Sequence, residues 1–214
     1  LWLQPGRAVD LQCKKEHREH ISQVIGELPI DFAIQPVENR RKKLLIADMD
    51  STMIGQECID ELAAEVGLKD KVATITAAAM RGEIEFDPAL RERVSLLKGL
   101  PESVVDEVIK NRITLTPGGT ELVATMKKHG AYTALVSGGF TAFTSRLAAR
   151  IGFNENRANI LNVENGKLTG TVTEPILGRE AKIDALIEIS ERIGAAPQNA
   201  IAVGDGANDL GMIG

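Results

Sequence analysis

Aromatic side chains make up only 3% of this 214-residue sequence, with a single Trp and a single Tyr. A core built from it must draw on Leu, Ile, Val, Ala and Met, and a hydrophobic content of 43% is enough to form one. Cysteine is scarce as well. Cys13 and Cys58 are the only two and lack CxxC spacing, which excludes a disulfide scaffold and agrees with a reducing, cytoplasmic setting. No apolar stretch approaches a membrane span, and the opening Leu1-Trp-Leu-Gln-Pro-Gly6 has no signal-peptide pattern. Basic charge is not in excess either: 25 Lys and Arg stand against 30 Asp and Glu, a net charge of −5 that argues against a general nucleic-acid binder. Neither a membrane nor a nucleic acid is expected as a partner. His17 and His20 sit three apart with no further ligands nearby, so they read as a solvated helix face rather than a zinc pair. Both ends read as cut, because the chain starts at Leu and stops at Gly214 just as a helix begins.

What is present has a clear organisation. Residues 1–40 read as a separate piece, with a polar helix over 13–25 and a strand over 29–35. The run Arg40-Arg-Lys-Lys43 leads out of it as a solvated linker. Next comes Lys43-Leu-Leu-Ile-Ala-Asp48, a short apolar run bounded by polar residues, which predicts a buried strand. Residues 55–112 are helical in pattern throughout. Ile59, Leu62, Ala63 and Val66 recur at helical spacing, Asp87-Pro88 reads as an N-cap with Pro at the first helical position, and another helix starts at Pro101. Beyond residue 115 the pattern alternates. Helices are predicted over 117–128, 141–152 and 179–194, and buried strands over 131–136 and 199–203. A hairpin joins 159–163 to 167–173 around Asn165-Gly166. Alternation of this kind implies an α/β fold with a doubly wound, mostly parallel sheet, and a helical block inserted after the first core strand. The expected divisions are 1–40, a core of 41–54 with 113–214, and an insertion of 55–112.

The chemistry-bearing residues fall at the predicted strand ends. Asp48 and Asp50 are one residue apart, so on a strand both carboxylates can face one spot. Two such charges repel, and one pKa rises unless a cation sits between them, so the pair suits acid/base work, metal binding or both. The last strand runs into Gly204-Asp205-Gly206-Ala-Asn208-Asp209, which crowds oxygen donors of the kind a hard cation such as Mg²⁺ takes. Ala207 breaks an EF-hand pattern there, Asp209 breaks a dinucleotide fingerprint, and a plain turn stays open as a reading. A third strand end carries Val136-Ser137-Gly138-Gly139 before a helix, a place for an anion. Leu135 rules out a nucleophile elbow. Lys182, taken alone, reads as a surface lysine.

Taken in order, Asp48-Met-Asp50-Ser-Thr52, Val136-Ser-Gly-Gly139, Lys182 and Gly204-Asp-Gly-Ala-Asn-Asp209 resemble the four motifs of the haloacid dehalogenase (HAD) superfamily of phosphotransferases, over residues 43–214. Within the insertion, Glu57, Ala78-Ala-Met80-Arg-Gly82, Phe86 and the stretch Leu90-Arg-Glu-Arg93 through Lys98 resemble the helical cap of the phosphoserine phosphatase family. Residues 1–40 resemble the tail of the regulatory-type (ACT-like) N-terminal domain of its longer bacterial members.

The resemblance implies Mg²⁺-dependent hydrolysis of O-phospho-L-serine through an aspartyl-phosphate, the last step of serine biosynthesis. Asp48 would be the nucleophile and Asp50 the general acid and base. The Asp48 side chain, the Asp50 main-chain carbonyl and the Asp205 side chain would hold the metal, with Asp209 supporting them. Ser137, Gly138 and Lys182 would hold the phosphate, with Asn208 close by. Glu57 would pair with the substrate ammonium and Arg93 with its carboxylate, while Met80 and Phe86 close apolar surface over the ligand. Phospho-L-serine is the expected partner, together with a homodimer through the N-terminal piece. The C-terminal part of the core is expected to be truncated. Two alternatives remain open: a related phosphatase or phosphotransferase acting on another small phosphate ester, and a receiver-like domain phosphorylated on Asp, a type that has no cap.

Overall fold

The computed structural model describes residues 1–213, the side chain of Met80 excepted. It divides into two compact units, residues 1–40 and 41–214. In the first, β1 (Trp2–Gln4) and β2 (Ala8–Val9) form an antiparallel pair, followed by a single 3₁₀ turn and α1 (Arg18–Gly26). None of these residues is buried. The helix begins later than residue 13, and the strand expected over 29–35 is irregular backbone. A lone extended segment needs a partner edge for its N–H and C=O groups, and β1 and β2 pair only with each other.

The second unit contains β3 (Leu44–Ala47), then α2 (Cys58–Ala64), α3 (Lys69–Met80), α4 (Phe86–Ser95) and α5 (Val104–Asn111). After these come α6 (Gly119–Lys128), β4 (Tyr132–Phe140), α7 (Thr141–Ile151), β5 (Glu155–Asn159), β6 (Leu161–Glu164) and β7 (Lys167–Val172). The described chain closes with α8 (Arg179–Arg192), β8 (Ala200–Val203) and α9 (Leu210–Ile213). None of the described helices is long and apolar enough to cross a membrane.

The central sheet is parallel throughout, in the order β5-β4-β3-β8. The two inner strands, β3 and β4, are apolar on both sides because both faces are covered. Leu45, Ala47 and Leu135 point into one cluster with Phe143 and Leu147 of α7. The alternate residues Leu44, Ile46, Ala134 and Val136 point into the other, with Ala185 and Ile189 of α8 and Met212 of α9. The period-2 alternation of a strand thus feeds two cores from one apolar run.

Several boundaries differ from the sequence expectation. Helix α4 starts at Phe86 with Glu85 as N-cap, so Pro88 lies within the first turn, where a missing N–H costs no helical bond. Strand β4 continues through Ser137 and Gly138 to Phe140, with an irregular register against β5. Strand β5 itself was not expected. Its sequence is polar because it is an edge strand whose Glu155 and Arg157 enter ion pairs with Arg192 and Glu188. The hairpin stands as expected, with Asn165 and Gly166 both at positive φ, 51° and 73°.

The helical block is anchored where it leaves and rejoins the sheet. Gly55 N–H donates to the Thr114 carbonyl at 3.0 Å, and Thr116 N–H donates to the Met53 carbonyl at 3.0 Å. Gln56 fastens the same crossing by giving and receiving hydrogen bonds with Thr114, each 2.9 Å. The β6–β7 hairpin packs on the block from the other side, where Gly99 N–H meets the Leu168 carbonyl and Leu168 N–H meets the Leu100 carbonyl.

Leu45 is fully buried in the centre strand, whereas Ile201 of β8 is 39% exposed. Leu45→Ala is expected to cost about 2–5 kcal/mol of unfolding free energy and Ile201→Ala less than about 1 kcal/mol, read from urea midpoints at constant m. Equal costs would contradict the buried-centre, exposed-edge assignment.

Candidate active site

The parallel register places Ala47 beside Leu135 and Val203. The segments that follow, with Asp48 and Asp50, Ser137 and Gly138, and the Gly204–Asp209 turn, therefore emerge together at the C-terminal edge of the sheet, where open α/β sheets bind ligands. They open into a cavity of about 240 Å³. Asp48, Asp50, Glu57, Arg93, Ser137, Gly138, Asp205 and Asn208 all line it, so eight of the ten site residues expected from sequence meet in one place. Lys182 and Asp209 do not line the cavity. They stand behind it, 2% and 0% exposed. The reading of Lys182 as a surface lysine is thereby corrected: α8 turns it inward, where the carboxylates offset the cost of burying its charge.

Lys182 Nζ lies 2.6 Å from Asp209 Oδ1 and 2.8 Å from Asp48 Oδ1. Burial pulls its pKa down, but the two carboxylates outweigh burial and hold it above the ordinary lysine value. Asp209 also accepts the N–H groups of Asp205 and Gly206, at 3.2 and 3.1 Å. It therefore folds the acidic turn around itself. A Cβ on Gly204 would come within 2.3 Å of Asp209 Cγ, so only glycine fits there. Burial raises the Asp48 carboxyl to about 6 against the opposing charge of Lys182.

Asp50 is held differently. Its Oδ1 accepts the Cys58 backbone N–H at 3.0 Å. Burial, then the charges of Glu57 and Asp48, push its carboxyl up to about 8. It is therefore a proton carrier at neutral pH while its neighbour is mostly ionised. A Cβ on Gly139 would lie 2.7 Å from Asp50 Oδ2, so the VSGG motif owes its second glycine to the close approach of this carboxylate. Glu57, at the N-terminus of α2, accepts the Ser51 hydroxyl at 2.6 Å, and burial raises its pKa.

The helical block covers the cavity. The Phe86 ring lies against the core: a Cβ on Gly138 would come within 3.0 Å of Phe86 Cζ, and one on Gly178 within 3.3 Å of Cδ1. The side chain of Met80, the other expected closing residue, lies outside the described residues. Arg93 is 5% exposed, and no carboxylate stands within ion-pair distance of it among the described residues. Burial depresses its pKa, while Asp60, Glu57 and Asp50 oppose that from further away. An unpaired buried guanidinium is costly unless a ligand completes it.

Sequence reading missed other lining residues: Ile59, Thr76, Ala79, Leu90, Phe140 and Arg179. A threonine or leucine on a helix carries no sign of facing a ligand, so only the packing of α2, α3 and α4 identifies them. Arg179, in the first turn of α8, carries no signal beyond its proximity to Lys182.

The donor set fits a hard divalent cation. Carboxylate oxygens of Asp48, Asp205 and Asp209 lie within 4.8 Å of one another. Asp48 Oδ1 is buried and faces the Lys182 ammonium at 2.8 Å. Thr52 Oγ1 donates to Asp205 Oδ1 at 3.0 Å and steadies that carboxylate. Three carboxylates against one ammonium leave net negative charge among oxygen ligands, which suits Mg²⁺ rather than a soft metal.

Comparison with known proteins agrees with this geometry. The family model for haloacid dehalogenase-like hydrolases matches residues 45–213. A phosphoserine phosphatase of Archaeoglobus fulgidus is 46% identical over 200 residues, 92% of this chain and 58% of that protein. One of Albidiferax ferrireducens is 48% identical over 199 residues, 91% of this chain and 84% of that protein. The chain thus spans little more than half the length of the archaeal relative and most of the bacterial one. A solved structure described as a phospho-aspartyl intermediate analogue of phosphoserine phosphatase superposes with a TM-score of 0.76 at 43% identity, covering 80% of this chain and 81% of that one. The family match runs from the centre strand through all the strand ends that line the cavity to the last described helix, and the chain belongs to the haloacid dehalogenase-like hydrolase family.

Proposed function

We propose that this chain hydrolyses O-phospho-L-serine, with Mg²⁺ as its cofactor. One observation carries the reading: a single cavity holds a buried guanidinium without a carboxylate partner, Arg93, together with an acid, Glu57, and the Asp48–Asp50 pair. A phosphorylated α-amino acid presents the complementary groups, a carboxylate, an ammonium and a phosphate. The relatives named above carry phosphoserine phosphatase activity in their names, which supports the same substrate. In this reading residues 55–112 act as a cap over a core of 41–54 and 113–214.

Asp48 Oδ attacks phosphorus and forms an aspartyl-phosphate as the bond to the seryl oxygen breaks. Asp50, protonated beforehand because its carboxyl sits near 8, gives that oxygen its proton. The resulting Asp50 carboxylate then takes a proton from the water that attacks phosphorus, releasing inorganic phosphate and restoring Asp48. Ser137 and the Gly138 N–H bind the phosphoryl oxygens with Asn208 beside them, and Lys182, behind Asp48, adds positive charge on that side. Lys182 also keeps Asp48 in place through its contact with Asp209. Asp48, the Asp50 main-chain carbonyl and Asp205 would hold Mg²⁺, with Asp209 bracing the turn. When bound, the ion offsets the repulsion between a carboxylate and an anionic phosphate. Phe86 over Gly138 keeps bulk water from the reacting atoms.

Phosphate release from phospho-L-serine should require Mg²⁺ and stop with a chelator, and Asp48→Asn should lower turnover by at least about 10³-fold. Phosphate release by Asp48→Asn at near the original rate would remove Asp48 as nucleophile. If other small phosphoesters are hydrolysed better, the substrate assignment falls, and transfer to an added alcohol would point to a phosphotransferase instead.

A second expectation concerns pH. In the metal-free fold both Asp48 and Asp50 titrate above the ordinary carboxylate value of 3.8, near 6 and 8. The folded state binds these protons more tightly than the unfolded chain, so their contribution to stability falls as pH rises through that window. Mg²⁺ needs its ligands deprotonated, so its stabilisation runs the other way. The rise in Tm on adding Mg²⁺ should be small at about pH 5 and larger at about pH 8. An equal rise at both would contradict the assignment of Asp48 as a ligand.

A further inference from the structure

Arg93 and Lys182 are the two buried cations among the described residues. They are treated in opposite ways. Lys182 touches two carboxylates, whereas Arg93 is held by neutral oxygens alone. Its Nε donates to the Ala89 carbonyl one helical turn back, at 3.0 Å. Its Nη1 donates to Thr76 Oγ1, also at 3.0 Å. Thr76 comes from α3 and is 4% exposed. Its hydroxyl lies 2.9 Å from Asp60 Oδ1 of α2 and 3.0 Å from the Val72 carbonyl, and it can donate to either. One hydroxyl therefore joins the three helices that surround the guanidinium.

We propose that Thr76, backed by Asp60, is a positioning residue that sets the Arg93 guanidinium for the carboxylate of the substrate. The proposal rests on the role given to Arg93 above. The physical reason is competition. A carboxylate in direct contact with Arg93 would take its fork in a bidentate pair and leave nothing for a ligand. A hydroxyl between them accepts one N–H, can donate its own to Asp60, and keeps that carboxylate off the fork. Asp60 still supplies negative charge close enough to ease the burial of the cation, and it is the largest charge opposing that burial. Two of the five guanidinium donors are used by Thr76 and Ala89, and the remaining three are free for a ligand. With Nε and Nη1 anchored, the plane of the fork is set before substrate arrives, which reduces the ordering cost of binding.

The test compares phospho-L-serine with phosphoethanolamine, which has the phosphate and ammonium but no carboxylate. Thr76→Val keeps the shape and removes the hydroxyl. It should raise KM for phospho-L-serine about tenfold with little change in kcat, and lower the phospho-L-serine to phosphoethanolamine ratio of kcat/KM about tenfold. Thr76→Ser should restore both to within about threefold. Asp60→Asn should shift the ratio in the same direction, and it carries the test should Thr76→Val not fold. Arg93→Lys, which keeps charge but loses the fork, is the reference. If Arg93→Lys lowers the ratio while the Thr76 and Asp60 variants leave it within about twofold, Arg93 keeps its role and the proposal is overturned. If Arg93→Lys leaves the ratio unmoved, the role of Arg93 and the proposal fall together. Equal losses on both substrates would make Thr76 a packing residue only and also overturn the proposal.

Discussion

Three carboxylates converge at one edge of a parallel sheet, and a single buried ammonium holds two of them there. Asp48, Asp205 and Asp209 repel one another across less than 5 Å. Lys182 reaches the two that are buried and leaves the exposed one, Asp205, to the Thr52 hydroxyl. The rest of the site follows from this arrangement. Asp209 can shape the acidic turn because its charge is already met, and the same ammonium anchors Asp48 through Oδ1. A core without such a cation would have to protonate these groups or bind a metal merely to fold.

The helical block adds a second charge pattern to the first. Glu57 and Arg93 enter the same cavity from α2 and α4, and Phe86 lies across its core side. Neither charge satisfies the other directly. Glu57 leans on Ser51, Arg93 leans on Thr76, and both remain available to a zwitterionic ligand. The paired main-chain bonds at Gly55–Thr114 and Met53–Thr116 join this block to the sheet at one crossing, so the two charge patterns belong to separate layers of one unit.

Much of this is legible in sequence where local chemistry leaves a pattern. The apolar runs before Asp48 and Ser137 become β3 and β4, because a strand buried on both faces must be apolar on both, whereas the run before Asp205, expected to be buried, becomes β8, an edge strand with no buried residue. Asn165-Gly166 forms a hairpin because its backbone needs two positive φ angles. Edge strand β5 escapes, since ion pairs rather than apolar alternation pack its side chains. The strand expected over 29–35 fails for the reverse reason: its apolar pattern has no partner edge.

From sequence alone come the residue types at the strand ends, their order, and hence the class of chemistry they can perform. The Asp48–Asp50 spacing points to a pair, but β3 ends at Ala47 and both residues follow it, so the turn after the strand and not strand alternation brings the two carboxylates to one cavity. The partners of those residues are another matter. Lys182 becomes a buried counter-ion, Gly139 a gap for the Asp50 carboxylate, and Thr76 a support for Arg93 only when α8, β4 and the helical block pack together. These contacts join residues far apart in the chain or on different helices. Desolvation, which gives each of them its energetic weight, is a property of the packed interior and not of any local segment.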